Sequence, residues 1–373
     1  MAFERIALPS QIPGQQTTVA VHRFGPSTGQ KVYIQAGLHA DEHPGLLVAQ
    51  KLIEQLQYLE DQDQLLGQFI IVPFANPIGL KQRIFGHVNG RCDLGTGQNF
   101  NRGMSIDPSA INDEVLNTLC HDPRENDEIF RRWLKEQIDT RSAEFEISAL
   151  HKLLLSLSID AHCMLDLHCD DVALPHIFYG KHQPDDGQLL TRCMAANVAL
   201  EEDVTGTVAF DGTHTQPWVL AQKQSNKTLF SQPCFAATVE LRGHTDVNLA
   251  LANQDASGLI NFFKHKGLIQ QAAEKIAPEP TKTIGVEQVK MVTAPGTGII
   301  TYNCELGDFV KGNQLIAKIV VLDQEKPTEI DVLAPCDGYV FSHTQHYFVS
   351  PGQTIAMLAT DKNQQSAGEQ LAF

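Results

Sequence analysis

Val32-Tyr33-Ile34-Gln35-Ala36-Gly37-Leu38-His39-Ala40-Asp41-Glu42-His43-Pro44 is an apolar, β-prone run that breaks at Gly37 into a polar turn. Beyond the turn, Leu46, Leu47, Ala49, Leu52, Ile53 and Leu56 recur at helical spacing from Gly45 to Tyr58. Phe69-Ile70-Ile71-Val72-Pro73 is a second buried-strand pattern, closed by the turn-forming Asn76-Pro77-Ile78-Gly79. Residues 107–160 read as largely helical, with Leu150, Leu153, Leu154 and Leu157 on one face. Two more apolar runs follow, Cys163-Met164-Leu165-Asp166-Leu167 and Ala236-Ala237-Thr238-Val239. Strands separated by helices imply an α/β layer architecture. In such folds ligands gather at the carboxyl ends of the strands.

The turn offers metal ligands in two ways. On a helix, H-x-x-E-H would set His39 and His43 on one face with Glu42 between them as general base. Gly37 precedes the motif, however, and Pro44 biases His43 away from the α conformation. Both favour a strand-to-helix turn, on which His39 and Glu42 face one metal and His43 stays outside its shell.

A catalytic zinc takes three protein ligands and leaves one position for water. The third ligand is expected from another strand end, where Asp166-Leu167-His168-Cys169-Asp170 supplies His168. Alone, His168 reads as a satisfied histidine near a sheet edge; beside the first motif it reads as a ligand. Asp166 shares its strand face and belongs either to the metal or behind it. Hydrolysis also needs a base to take a proton from water and return it to the leaving nitrogen. Thr238-Val239-Glu240-Leu241-Arg242-Gly243 offers Glu240, at a position where packing alone does not favour a carboxylate. An edge-strand glutamate facing solvent explains it equally well. In Gln98-Asn99-Phe100-Asn101-Arg102-Gly103 the arginine could grip a carboxylate bidentately, or the loop could simply be solvated.

The bulk composition narrows the field. The chain has 373 residues, 42% of them hydrophobic, and carries a net charge of −16. It can bury a core, two domains are expected, and nucleic acid and anionic membranes are disfavoured partners. No apolar run approaches the roughly 20 residues that cross a bilayer, and Met1 to Ser10 lacks the layout of a signal peptide. Eight scattered cysteines without a C-x-x-C pair suit a reducing cytoplasm.

Near residue 277 the pattern changes. Ala277-Pro278-Glu279-Pro280-Thr281 reads as part of a linker over 277–283, dividing a catalytic domain, 1–276, from a C-terminal β domain, 284–362. The second part repeats itself: Val292-Thr293-Ala294-Pro295-Gly296-Thr297-Gly298 returns as Val332-Leu333-Ala334-Pro335-Cys336-Asp337-Gly338. Phe309-Val310 and Ile316-Ala317 return as Phe348-Val349 and Ile355-Ala356. Two copies are too few for a solenoid and suit two interlocked halves of one barrel.

Together these stretches resemble the succinylglutamate desuccinylase/aspartoacylase family, relatives of the zinc carboxypeptidases. The matching residues are Gly37-x-His39-x-x-Glu42, Asn76-Pro77-x-Gly79-Leu80, Asn99-Phe100-Asn101-Arg102, Asp166-Leu167-His168 and Thr238-x-Glu240, in order over residues 30–265. The resemblance implies a zinc carboxypeptidase-like α/β fold, a mixed sheet flanked by helices. It implies one zinc ion (Zn2+) per chain, bound by His39, Glu42 and His168, with Glu240 activating the water. Asn101 and Arg102 would hold the carboxylate of an N-acyl amino acid, and an upstream arginine, Arg91 with Arg83 in reserve, would polarise the scissile carbonyl. The implied reaction is deacylation to a carboxylic acid and a free amine. A carboxypeptidase acting on short peptides and a non-catalytic binding protein on the same scaffold are the rivals. The chain departs from the family pattern in a longer segment between Arg91 and Asn101, and in Arg242, where many members have a small residue. Its C-terminal part resembles the biotinyl/lipoyl-like barrels appended to bacterial members. Pro327 stands where a carrier lysine would be, so its expected role is to shape the substrate entrance or to form a contact in a homo-oligomer.

Overall fold

A computed structural model describes residues 2–10, 12–206, 209–280, 282–322 and 324–362; of the stretches singled out above, Met1 and Thr281 lie outside these. The apolar runs assemble into one nine-stranded mixed sheet. Its order is Ala2–Ala7, Thr18–Phe24, Gln68–Val72, Lys31–Ala36, Cys163–Asp170, Phe235–Gly243, His176–Gly180, Val198–Glu202 and Lys282–Gly285. The central strands Gln68–Val72, Lys31–Ala36, Cys163–Asp170 and Phe235–Gly243 run parallel, and His176–Gly180 turns antiparallel against the last of them.

Because strand side chains alternate, each central strand feeds two cores. Val32, Ile34, Ala36, Leu165, Leu167, Ala237 and Val239 pack against the helices His43–Asp61 and Leu249–His265. Tyr33, Met164 and Ala236 face the other way, toward Pro123–Asp139, Glu146–Ser158 and Phe210–Lys223. The expected helical stretch over 107–160 is therefore broken into short pieces and two longer helices. Phe130, Leu134, Leu150 and Leu154 bury these in the second core with Trp218. They form a layer of the body.

The C-terminal residues form two antiparallel sheets whose composition explains the sequence repeat. One contains Val289–Thr293, Thr354–Ala359, Gly338–His343 and Phe309–Val310; the other contains Thr328–Leu333, Leu315–Val321, Gly298–Tyr302 and Phe348–Val349. Each sheet thus takes the first and third strands of one copy and the second and fourth of the other, which is the interlocking the repeat suggests. This region is seated on the large sheet. Lys282–Gly285, at the end of the expected linker, pairs parallel with Val198–Glu202. Ser342 and His343 pair with Ala173 and Val172, and Val198, Leu200, Ile284, Tyr339, Phe341 and Met357 share one apolar cluster.

Candidate active site

Gly37 ends its strand at φ +68°, a left-handed conformation that other residues adopt at a cost, and the chain turns there. Glu42 N–H bonds to His39 O at 3.2 Å, and the helix begins at His43 with Pro44 in its first turn. The segment is thus a turn into a helix start. Two neighbours brace it. Asn76 Nδ2 donates to Leu38 O at 2.9 Å, while its Oδ1 accepts from Gly79 N. Gly90 packs so closely that a Cβ there would lie 2.3 Å from Asp41 N.

The turn brings His39 and Glu42 to His168, at the end of Cys163–Asp170. The Nδ1 atoms of His39 and His168 lie 2.8 and 2.7 Å from the two carboxylate oxygens of Glu42. All three residues are buried, and one ligand atom from each lies within 4.8 Å of the others. The outward nitrogens are anchored as well. His39 Nε2 is 2.9 Å from Asn99 Oδ1. His168 Nε2 is 3.0 Å from Asp166 Oδ2, close enough for an ion pair but off the hydrogen-bonding direction. Asp166 is held in turn by Gln35 Nε2 at 3.1 Å. Burial alone would raise the Glu42 carboxyl, but His168 and His39 outweigh it and hold it well below the usual range. Burial would lower the His168 imidazole, but Asp166 and Glu42 hold it well above its ordinary value.

This donor set fits a metal ion. Two imidazole nitrogens and one carboxylate converge from buried positions, with outer partners fixing both rings, as tetrahedral zinc with one open position requires. His43 lies outside this cluster, on the cleft wall.

Glu240 follows from register. On Phe235–Gly243 it pairs with His168 on one side and with His176 on the other. Adjacent residues in register project from the same face, so His168, Glu240 and His176 stand in a row. A β-bulge follows Glu240, and Arg242 there takes φ +67° with its guanidinium tied to the buried Asp255. Glu240 Oε2 is enclosed and has no hydrogen-bond partner among the described residues. Burial chiefly raises its carboxyl well above the usual range; Glu42 and Asp170 add to this, against His168 and Arg91.

The row forms the floor of a cleft of about 950 Å³. Arg91 lines it, with Nη1 3.8 Å from Glu42 Oε1. Arg83 lies on the exposed hairpin Arg83–Ile84 and His87–Val88 and does not line the cleft. Asn101 and Arg102 line it too. Asn101 Oδ1 accepts from Phe210 N at 2.8 Å, which leaves its Nδ2 hydrogens as what it can offer a ligand. Asp211 lines the cleft as well, close enough for its charge to act on Arg102, and its own carboxyl is raised chiefly by burial. The C-terminal region closes the cleft with Thr344, Gln345 and His346. Thr344 Oγ1 and Gln345 N donate to Asp171 at 3.0 and 3.2 Å, and Ser342 Oγ to Asp170 at 2.8 Å.

Sequence reading missed the bracing parts. Asn76 and Asn99 lay inside motifs without a role, and His176 lay in a segment that gave no signal. Among them only Asn76 carried a local cue, its turn-forming Asn-Pro pair.

The family model described as the succinylglutamate desuccinylase/aspartoacylase catalytic domain matches residues 28–266. An N-alpha-acetyl-L-2,4-diaminobutyric acid deacetylase from Halomonas elongata is 24% identical over 339 residues, covering 89% of this chain and 82% of that protein. Two solved structures share the fold. A succinylglutamate desuccinylase/aspartoacylase protein from Shewanella frigidimarina has a TM-score of 0.86 at 23% identity, over 96% of this chain and 97% of its own. The ectoine utilization protein EutE (DoeB) from Ruegeria pomeroyi, in a product-bound structure, has a TM-score of 0.66 at 15% identity, over 96% and 95%.

Proposed function

We propose, from the premise that the chain belongs to the succinylglutamate desuccinylase/aspartoacylase family, that it is a zinc-dependent hydrolase removing the acyl group from an N-acyl amino acid. The observation that carries this reading is the buried His39–Glu42–His168 cluster with Glu240 beside it on the next strand. A zinc ion held by these three residues, one per chain, would supply a Lewis acid that eases ionisation of water and polarises a carbonyl. Glu240 takes the proton from the attacking water, and its burial favours the neutral acid that results. The same carboxyl then hands the proton to the departing nitrogen. Arg91 reaches over the cluster and faces the negative charge that grows on the carbonyl oxygen. Asn101 Nδ2 and Arg102 hold the substrate carboxylate, so that binding sets the amide over Glu240. The products are a carboxylic acid and a free amino acid.

The division into a catalytic part, 1–276, and a C-terminal β domain, 284–362, belongs to the same proposal, with the second part shaping the cleft mouth. All eight cysteines are free, which supports a cytoplasmic setting. No helix among the described residues is long and apolar enough to cross a membrane.

The test is a hydrolysis screen of the zinc-loaded protein against N-acetyl, N-succinyl and other N-acyl amino acids beside short peptides. Turnover of one acyl-amino acid class well above the peptides is the expected result. Turnover of the peptides alone would replace the deacylase with a carboxypeptidase, and no turnover with no zinc retained would leave a binding protein.

A further inference from the structure

His176 stands in the catalytic row without a part in the steps above. It is 2% exposed, lines the cleft, and pairs across the sheet with Glu240. Its Nδ1 lies 2.8 Å from Leu174 O. A carbonyl can only accept, so Nδ1 carries the hydrogen, and in the neutral ring Nε2 is an acceptor. The rings of Phe178 and Phe341 pack edge-on against the imidazole and fix its plane. Burial lowers its proton affinity, in keeping with the neutral form. Nε2 has no hydrogen-bond partner among the described residues. The nearest acidic oxygen, Asp170 Oδ2, is 4.0 Å away and already accepts from Ser342. The ring is enclosed while this nitrogen opens on the cleft, so it is placed to accept from a donor that enters there.

We infer that His176 Nε2 forms a subsite for a hydrogen-bond donor on the side chain of the leaving amino acid, and that the preferred donor is an ammonium group. This rests on the deacylase reading and adds the substrate class: N-acyl diamino acids. Distance supports it. The scissile nitrogen must meet Glu240, and the next strand lies about 4.8 Å further on. A group bound at His176 is therefore about one strand spacing from that nitrogen, within reach of the amine on a short side chain. The substrate carboxylate cannot occupy this place, because carboxylate and Nε2 are both acceptors. Charge selects among donors. Asp170, 4.0 Å from Nε2, and its neighbour Asp171 line the cleft; burial raises the Asp170 carboxyl, and the acidic pair still favours a cation over a neutral hydroxyl.

The experiment compares N-α-acetyl-L-2,4-diaminobutyrate with N-acetyl-L-norvaline, whose side chain has the same length and no charge. kcat/KM is measured for both with wild type, His176→Ala and His176→Gln, the last of which keeps an acceptor. Wild type is expected to favour the diamino compound by at least about tenfold. His176→Ala should lower that ratio by about tenfold, chiefly through KM, and His176→Gln should restore part of it. A wild type without the preference, or a ratio that His176→Ala leaves unchanged, overturns the inference while the deacylase reading stands. Wild type that hydrolyses neither compound, nor any other N-acyl amino acid, overturns the deacylase reading instead. Calorimetric binding of free L-2,4-diaminobutyrate against L-norvaline to wild type then decides the subsite separately, and does so too if the variants fail to fold. Equal affinities would sink it.

Discussion

The floor and the walls of the cleft are built differently. His168, Glu240 and His176 stand in register on three adjacent strands, so their spacing is set by the backbone ladder and by packing on both faces of the sheet. Arg91, Asn101 and Arg102 come from one long loop, and Gln345 and His346 from the C-terminal region. The floor has the fixed geometry that proton transfer at Glu240 and a contact at His176 both need; the walls, which carry the arginines, can vary with loop length. The floor's carboxylate and the one on the neighbouring turn are driven apart. Glu42, between two imidazoles, is held charged, whereas Glu240, enclosed without a partner, is pushed toward its neutral form. Pairs of titratable groups with opposed environments are a mark of acid–base sites.

The sharpest way to break this contrast is Glu240→Gln. The variant should bind zinc stoichiometrically by metal analysis while kcat falls by roughly 10³-fold, within the range for a general base. Retained turnover would remove Glu240 from the reaction. Loss of zinc would instead place it among the ligands.

The loop wall has its own anchor. His151 Nε2 lies 2.9 Å from Phe100 O, so a neutral ring donates to the carbonyl between Asn99 and Asn101. Burial chiefly depresses its pKa from 6.5 to about 4. The unfolded chain then binds more protons than the folded one between these values. The stability His151 contributes is complete above pH 6.5 and is lost as the pH falls toward 4, at about 1.4 kcal/mol per unit and on the order of 3 kcal/mol in all. Urea midpoints measured across this window should fall more steeply for wild type than for His151→Gln. Parallel curves would show that His151 does not carry this acid sensitivity.

Arg102→Ala tests the wall directly. Losing a charged hydrogen bond to the substrate carboxylate should raise KM by about 10- to 100-fold with a smaller change in kcat. A fall in kcat at constant KM would move Arg102 from the walls to the chemistry.

Much of the floor was legible in the sequence because its signals are local. Gly37 and Pro44 bracket the turn, and His168 and Glu240 each close an apolar run. The row they make with His176 was not legible, since register between strands far apart in sequence depends on packing that no single segment encodes. The interlocked repeat was visible, but the seating of the C-terminal region was not. It depends on Lys282–Gly285 joining the large sheet and on Asp170 and Asp171 meeting Ser342 and Thr344. The helices of 107–160 were readable as helices, yet their place in the second core came from long-range contacts of Phe130 and Leu150.

The smallest expected effect falls where wall and floor meet. Asn99 belongs to the loop, yet its Oδ1 meets His39 Nε2 at 2.9 Å and also accepts from Asn101 N at 2.8 Å. One side chain therefore sets both the ring of a proposed ligand and the course of the loop that holds the substrate. Partners behind metal-binding histidines are worth about 10- to 100-fold in affinity or activity. Since Glu42 also orients this ring, Asn99→Ala should sit at the low end and weaken zinc binding about tenfold in a competition titration with a chelator. KM should rise with it, because Asn101 loses its backbone anchor. A change in KM alone would make Asn99 a wall residue; a change in zinc affinity alone would make it part of the floor. Both together would show that the two regions, built by different rules, are coupled through this amide.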